Sequence, residues 1–407
     1  MKKVFHIIIL VFFSVYGYSQ TLNDYLKIAA ENNLALKAKF KDYEASLEKV
    51  NQMGSLPNPI LDFGYFISPI ETRNGPQQAK IGAMQMFPWL GTLNAQQEVF
   101  ANLAKSKFED FEAQKKVVFY QIKSVWYELY EIQQSIRIVE ANLKILKSFE
   151  SLATQKFETG SKSGMVDVLR IQMEIAELEN KLVLIQDKFH AKKVMFNNVL
   201  NRDVTTPVLI PEEQQILEII ESKGQITTNI IASNNELKSM DMKKEAFHAS
   251  SVVAKKQGLP MIGLGLNYFM IGDDGMVAQN SGKDAFMPMI TLSVPIYRKK
   301  YKAQKNEANL NMESVQFQIE NTKNKLENEL ELTWVVYEDA SRRIELYHQQ
   351  NIKANQVLEI IVSSYVNSGK DFEEILRIQR IMLGNDLQII QAIQDKNNAV
   401  SKIESMY

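Results

Sequence analysis

Side chains that could bind a metal ion or act as acids and bases are few and scattered in this sequence. Apart from His6 near the amino terminus, the histidines are His190, His248 and His348, each on its own predicted helix without a second histidine or a pair of carboxylates at ligand spacing. The chain has no cysteine, which excludes disulfides, thiolate metal sites and thiol nucleophiles. It also lacks a phosphate-binding glycine loop and a nucleophile–base motif. We therefore expect no enzyme activity, no cofactor and no resident metal.

Methionine is the remaining soft ligand, and it is concentrated in two short β-rich regions. These regions contain Met84, Met86, Met261, Met270, Met276, Met287 and Met289. Thioether sulfur suits soft cations such as copper(I). Methionine also fills apolar surface without any ligand role, and this simpler interpretation is our default.

The densest charged group is a turn near the carboxyl end, with the sequence YVNSGKDFEE from Tyr365 to Glu374. Its carboxylates precede or begin a predicted helix, where they could do no more than offset the helix dipole. If an oligomer repeated this turn around an axis, the same carboxylates would form an acidic ring that selects cations. The sequence leaves both interpretations open.

The chain repeats itself near its half length. The tetrapeptide LRIQ occurs at Leu169 to Gln172 and again at Leu376 to Gln379, 207 residues later. The same offset aligns YELYE, which starts at Tyr127, with WVVYE, which starts at Trp334. A tandem duplication of a unit of about 200 residues explains these matches. We predict a first repeat over 20–200, an equatorial segment between the repeats over 201–228 and a second repeat over 229–407.

Long helices account for most of each repeat. No proline interrupts residues 92–159, and apolar residues recur alternately every four and three positions from Val118 to Leu146. A sustained 3.5-residue spacing is typical of coiled coils. The second repeat has the same plan, with an unbroken stretch over 297–366 and a return helix after about 371. Helices of this length suit rods, scaffolds or tubes.

The amino terminus and the overall composition indicate an exported protein. Two lysines precede an apolar run from Val4 to Val15, followed by small or polar residues, which predicts a signal peptide over residues 1–19. About 12 apolar residues are too few to span a bilayer. Lysine and arginine number 47 against 48 acidic residues, so no basic field is available for nucleic acid.

Four short segments between the helices read as strands, at about 58–67, 80–89, 259–271 and 286–297. In the third, Ile262, Leu264 and Leu266 alternate with small or polar residues, so that one face is apolar. This length and alternation match the strands of an outer-membrane barrel, although a soluble hairpin has the same alternation.

The connections between paired strands favour the membrane interpretation. We expect long polar loops over 68–79 and 272–285, unlike the two-residue turns of tight hairpins. Four strands are too few to close a barrel, for which about eight is the minimum. The open strand edges therefore predict a homo-oligomer that assembles one shared barrel.

Several features in a fixed order resemble one known family. They are LNDYLKIAAENN near the amino terminus, LPNPIL before the first strand, the turn regions TGSKSGMVDVLRIQ and SGKDFEEILRIQ, and the duplication. Together they resemble the TolC-type outer-membrane efflux factors over essentially the whole mature length. The resemblance implies a mainly α chain with a small β part, a homotrimer with a shared twelve-stranded outer-membrane β-barrel, and a periplasmic α-barrel. It also implies a periplasmic adaptor (membrane fusion protein) and an inner-membrane pump as partners.

The resemblance also implies roles for the two turns. Glu374 matches an acidic ring at the periplasmic entrance, whereas Arg377 departs from the acidic pattern. Tyr365 and Lys370 resemble a tyrosine and an arginine that hold the entrance shut, each displaced by about one residue relative to Gly369. The predicted entrance gate is Tyr365, Gly369, Lys370, Asp371, Glu373, Glu374 and Arg377. The predicted adaptor-facing tip is Phe157, Gly160, Gly164 and Asp167.

The sequence thus favours a passive export channel in the cell outer membrane that extends into the periplasm. The stretch GPQQAKIGAMQMFPWLGTL resembles the family branch that serves heavy-metal pumps of the resistance-nodulation-division type, so heavy-metal cations are the expected substrate. Drug efflux and type I protein secretion are alternatives within the same architecture. A periplasmic coiled-coil scaffold with soluble hairpins is the alternative from a different class.

Overall fold

The protein is described from a computed structural model over residues 21–159, 164–273, 282–368 and 372–407. The predicted signal peptide and Met276 lie outside these residues. The helices are α1 (Leu22–Asn32), α2 (Leu34–Met53), α3 (Thr92–Glu158), α4 (Gly164–Val199), α5 (Lys223–Ser233), α6 (Asn235–Gln257), α7 (Lys299–Ser368) and α8 (Phe372–Glu404). The strands are β1 (Ile60–Thr72), β2 (Gly75–Phe87), β3 (Met261–Ile271) and β4 (Ala285–Ser293). The predicted fold class, long helices with four strands per chain, is confirmed.

The heptad positions of α3 are buried as the spacing predicts. Among them are Val118, Ile122, Val125, Leu129, Ile132, Val139, Leu143 and Leu146. None of the helices in the described ranges is long and apolar enough to cross a membrane.

The chain forms two compact units, each assembled from both halves of the sequence. Unit 1 contains the described residues up to Asn33, with Val118–Glu218 and Val335–Lys402; unit 2 contains Leu34–Val117, Ile219–Trp334 and Ile403–Tyr407. Each unit therefore contains residues from both predicted repeats. The division into units does not follow the predicted repeat boundaries, which remain predictions.

Each unit has its own apolar core. In unit 1, Val139 and Ala153 of α3 pack with Ile171 of α4 and with Tyr365 and Ile375 of the two last helices. The core of unit 2 is formed by Ile226, Ile230, Leu237, Val315, Ile319, Leu326, Leu330, Ile403 and Met406. The four strands belong to unit 2.

The strands form one antiparallel sheet in the order β1-β2-β3-β4, so β1 and β4 are its edges. The register pairs Phe63 with Ile81, Ile81 with Tyr268 and Tyr268 with Phe286, which places these side chains on one face. The same face carries Leu61, Tyr65, Ala83, Phe87, Ile262, Leu264, Leu266, Ile290 and Leu292. The predicted alternation thus produces one face across all four strands that is apolar apart from Gln85, which is paired with Leu264.

The first hairpin is tighter than expected, and the predicted loop over 68–79 is wrong. Strand β1 continues to Thr72 and β2 begins at Gly75, so two residues form the turn. The Thr72 hydroxyl donates a hydrogen bond of 2.7 Å to the Gly75 carbonyl oxygen, and Gly75 has a φ of 119°. Pro69 suggested a loop, but it lies in the irregular stretch between Tyr65 and Ile70 on an edge strand, where proline is tolerated.

The second connection agrees better with its prediction, because β3 ends at Ile271 and β4 begins at Ala285. Residues 274–281 of this connection lie outside the described ranges. The Asp284 carboxylate accepts a 2.9 Å hydrogen bond from the Ile271 backbone N–H, which ties the two ends of the connection together. Strand β4 ends at Ser293, earlier than expected, two residues before Pro295.

Gly75→Ala should weaken the first hairpin. A Cβ at this position would lie 2.0 Å from the Gly272 carbonyl oxygen, and the positive φ admits glycine almost alone. We expect a loss of about 1–3 kcal/mol in the free energy of unfolding, measured by thermal unfolding of the detergent-solubilised protein. Gly64→Ala is the matched control, because its Cβ would make an ordinary 3.9 Å contact with the Cβ of Lys80. Equal losses in both variants would contradict the turn geometry.

Candidate functional site

The described end of α3 and start of α4 pack with the described end of α7 and start of α8 in unit 1. Ala153 and Val168 from the first turn region share a core with Tyr365, Phe372 and Leu376 from the second. Gly164 packs against the backbone of α3, since a Cβ there would lie 2.7 Å from the Phe157 Cα. Tyr365 of the predicted gate and Asp167 of the predicted tip therefore belong to one cluster.

Tyr365 lies at the centre of this cluster. Its side chain is 1% exposed and packs against Phe372, with the ring centroids 5.0 Å apart. The Lys156 ammonium lies 4.0 Å from the centre of the Tyr365 ring and donates a hydrogen bond to the Tyr365 backbone carbonyl. Through this cation–π contact and this hydrogen bond, Lys156 holds the last turn of α7 against the last turn of α3.

Asp167 adds a buried carboxylate to the same contact. It is 6% exposed and lies close enough to the Tyr365 hydroxyl for that group to lower its pKa. Burial raises the pKa of Asp167, an effect that Arg170, Tyr365 and Lys156 partly offset. Burial and the nearby Asp167 charge raise the pKa of Tyr365 to about 12, so the phenol stays protonated.

The described carboxylates at the start of α8 are exposed and paired with arginines. The pairs in this region are Arg170 with Glu373 at 3.1 Å, Arg377 with Glu374 at 2.8 Å and Arg380 with Glu174 at 3.4 Å. The Arg377 guanidinium lowers the pKa of Glu374. Exposed pairs add only roughly 0.2–1 kcal/mol each to stability. Their main effect is on charge, because Arg170 and Arg377 each offset a carboxylate of the predicted gate.

The sequence identified the second turn but missed two of the cations that organise it. Lys156 and Arg170 belong to the first repeat, and their partners are known only once the turns are brought together. Arg170 carried one available signal, because it occupies the LRIQ position equivalent to Arg377. The predicted residues Gly160, Gly369, Lys370 and Asp371 lie outside the described ranges.

The duplication relates two of the site's carboxylates. The offset of 207 residues aligns Asp167 with Glu374. In the structure Asp167 is buried against Tyr365, whereas Glu374 is exposed and paired with Arg377. Equivalent acidic positions in the two repeats have thus acquired different surroundings.

The methionines of the sheet form a second group of interest. The register places Met84, Met86, Met287 and Met289 on the face opposite the apolar one, with Gly263, Gly265, Asn267 and Thr291. A Cβ added at Gly263 would lie 2.5 Å from the Met86 sulfur and 3.3 Å from the Met84 sulfur. These two sulfurs therefore cover the same glycine. Met84, Met86, Met287 and Met289 thus lie off the apolar face, whereas Met270 lies on it, and the default interpretation of no ligand role stays a prediction.

Solved structures with the same fold cover nearly the whole chain. The outer membrane protein VceC of Vibrio cholerae is 14% identical, with a TM-score of 0.74 over 95% of this chain and 95% of that chain. The open-state outer membrane channel MtrE of Neisseria gonorrhoeae is 13% identical, with a TM-score of 0.74 over 95% of this chain and 88% of that chain. CusC, studied for transmembrane channel formation, is 13% identical, with a TM-score of 0.76 over 95% and 91%. The chain has the fold of an outer-membrane channel.

No family model matches the sequence, and no curated protein sequence matches it. At these identities the likeness establishes the fold. The long helices, the four-stranded sheet and the paired turns are therefore the parts of an outer-membrane channel fold, and Tyr365 and Asp167 occupy its helical turns.

Asp167→Asn should make the turn cluster insensitive to pH. Because the pKa of Asp167 is raised, the folded turn holds its proton more tightly than the unfolded chain does, so stability falls as pH rises through that pKa. We expect backbone hydrogen exchange over 372–376, corrected for the intrinsic rate, to speed up in the natural protein as pH rises above about 4, the ordinary pKa of an aspartate. In the variant it should stay constant.

Glu374→Gln is the control, because the pKa shift of Glu374 has the opposite sign to that of Asp167. The pKa of Glu374 is lowered by Arg377, so its contribution to stability is lost as pH falls. In this variant Asp167 is unchanged, so hydrogen exchange over 372–376 should still speed up as pH rises. A natural protein with pH-independent exchange would contradict the assigned role of Asp167.

Proposed function

We propose that this chain is the outer-membrane channel of a tripartite efflux system. In this proposal a homotrimer passively conducts substrate from an inner-membrane pump and a periplasmic adaptor to the cell exterior. The observation that carries the proposal is the sheet, which exposes a continuous apolar face within an outer-membrane channel fold.

The exposure of this face supports contact with lipid. Phe63 is 74% exposed, Tyr65 79% and Ile290 79%. Large apolar side chains gathered on one face destabilise a protein in water, whereas a bilayer accepts them. The opposite face carries the Asp62–Lys80 ion pair at 3.2 Å, together with small residues and methionine, which suits a water-filled interior.

The strand order supports assembly from several chains. Strands β1 and β4 each have one partner within the described sheet, so each keeps an open edge. A bilayer offers no hydrogen bonds to such an edge, and a closed barrel removes it. Three copies give twelve strands, above the practical minimum of about eight. The choice of three follows from the family resemblance.

The turn cluster supports a gate at the periplasmic end. Tyr365 is held by Lys156, Asp167 and Phe372, so α7 and α8 can move away from α3 and α4 only if these contacts break. In the proposed trimer the three α7–α8 turns surround the axis, and the α3–α4 turns meet the adaptor. Lys370 and Asp371 belong to this proposed gate by their sequence positions.

Heavy-metal cations are the proposed substrate. The sequence resemblance around Phe87 to Trp89 supports this choice, and so does the position of the methionines. Met84 and Met86 lie on the face that would line the channel, where soft thioether sulfur could contact a passing copper(I) or silver(I) ion. Drug efflux and type I protein secretion use the same architecture and are the alternative substrates.

Extraction from the membrane tests the channel against the periplasmic scaffold. We expect the protein to stay in the membrane pellet through a high-salt wash and to dissolve only in detergent, as a particle of three chains by light scattering. Its exposed apolar face requires a lipid or detergent environment. A scaffold would leave the pellet with salt alone, and a monodisperse monomer in detergent would refute the shared barrel.

Ion selectivity in planar bilayers tests the gate. Glu373→Gln with Glu374→Gln leaves Arg170 and Arg377 without their carboxylates, so we expect the reversal potential under a salt gradient to shift towards anions. Arg170→Gln with Arg377→Gln is the reciprocal control, and it should shift the reversal potential towards cation selectivity. If these charges only stabilise the helix end, both double variants will conduct with the selectivity of the natural protein.

A further inference from the structure

A cavity in unit 2 lies where β2 leads into α3 and where α7 begins. Its volume is about 440 Å³, within the range of about 300–1,000 Å³ that is usual for ligand sites. Trp89 and Thr92 line one part of it, and Lys256, Lys300 and Tyr301 line another. None of the residues that line it is acidic. The predicted gate does not include this cavity, and Met261 at the end of the methionine-bearing face is the only sheet residue that lines it within the described ranges.

The charge of the cavity is positive and uncompensated. Lys256 and Lys300 form no ion pair with any described residue. The Lys256 ammonium donates a 3.3 Å hydrogen bond to the Leu90 carbonyl oxygen, which directs it to the loop before α3. The Lys300 ammonium lies 5.9 Å from the centre of the Tyr301 ring. Lys256, in the last turn of α6, and the exposed Lys300 have no carboxylate partner among the described residues, which favours an anionic ligand.

Two helix starts add to this positive field. Thr92 is the first residue of α3, and Lys300 lies in the first turn of α7. Neither first turn contains an acidic residue. Lysines at the amino end of a helix oppose its dipole, and an anion relieves that repulsion. The Thr92 side chain is 4% exposed, and its hydroxyl has no hydrogen-bond partner among the described residues.

Apolar and aromatic side chains are exposed beside the cavity, at the end of the sheet's apolar face. Leu90 is 86% exposed, and Tyr297, four residues after the end of β4, is 88% exposed. Trp89 lines the cavity and is itself 41% exposed. Aromatic residues of this kind mark the boundary between hydrocarbon and water, and lysines next to them meet lipid headgroups.

We propose that this cavity binds the phosphodiester headgroup of an anionic phospholipid in the periplasmic leaflet. The phosphate oxygens accept hydrogen bonds from Lys256, Lys300 and the Thr92 hydroxyl. The acyl chains extend along the apolar face of the sheet. A zwitterionic headgroup is disfavoured because its ammonium would approach two lysines. The inference rests on the membrane location in the proposed function.

Native mass spectrometry of the detergent-solubilised protein tests this site. Phosphatidylglycerol and phosphatidylethanolamine with identical acyl chains are titrated separately, and the bound fraction of each is measured. We expect the natural protein to prefer phosphatidylglycerol. The variant Lys256→Gln with Lys300→Gln should lower its apparent affinity by at least about tenfold, because each lysine near a lipid surface adds a favourable interaction.

The neighbouring lysines provide a matched control. Lys255→Gln with Lys299→Gln removes the same charge from adjacent positions that do not line the cavity. This control should bind phosphatidylglycerol like the natural protein. Equal losses in the two double variants, or equal retention of the two lipids by the natural protein, would overturn the site. Thr92→Val keeps the shape and charge of the side chain and should partly weaken the binding of phosphatidylglycerol. This variant replaces Lys256→Gln with Lys300→Gln as the test if that double variant fails to fold.

Two further measurements separate this inference from its alternatives. Inorganic phosphate at millimolar concentration should not displace the lipid, and full displacement would assign the cavity to a free anion. The salt wash of membranes is performed on the same preparations. Membrane retention without lipid preference refutes only the headgroup site, whereas loss of the protein in salt refutes the channel itself.

Discussion

The sheet imposes the constraint on which the rest of the structure depends. Its four strands leave two edges open and present apolar side chains such as Phe63 and Ile290 to the outside. Both features are unfavourable in water, because an open edge carries unpaired backbone groups and an exposed apolar face orders water. A barrel shared between chains and surrounded by lipid removes both costs together. The long helices begin directly after strands β2 and β4, so the placement of the sheet also sets where they start.

At the helical turns, duplication has produced two related but unequal positions. Asp167 is buried with Tyr365 and Lys156, whereas the equivalent Glu374 is exposed and paired with Arg377. A buried carboxylate that costs desolvation energy is a weak point in an otherwise apolar core. Such a point can be released at modest cost, which suits the proposed gate. The exposed pairs contribute little to stability and chiefly set the local charge.

Lys156 and Lys300 lie at opposite ends of their helices, and the helix dipole favours only the position of Lys156. Lys156 stabilises the end of a helix, where a cation interacts favourably with the dipole. Lys300 lies at a helix start, where it does not. This unfavourable charge lies beside a cavity without acidic residues, next to exposed Trp89 and Tyr297, and the lipid phosphate proposed above would offset it. The boundary of the membrane is where such anions are concentrated.

The sequence by itself determined the elements whose signal is local. Heptad spacing identified the long helices, and alternation identified four strands with one apolar face, because each pattern depends only on the period of its own element. Tertiary structure decided what depends on distant partners. The two-residue turn at Thr72 to Gly75 required strand pairing past Pro69, and the face of Met84 and Met86 required the register with Gly263. Tyr365 was predicted for the gate and Asp167 for a separate tip; only packing between helices far apart in sequence brought them together, with Lys156.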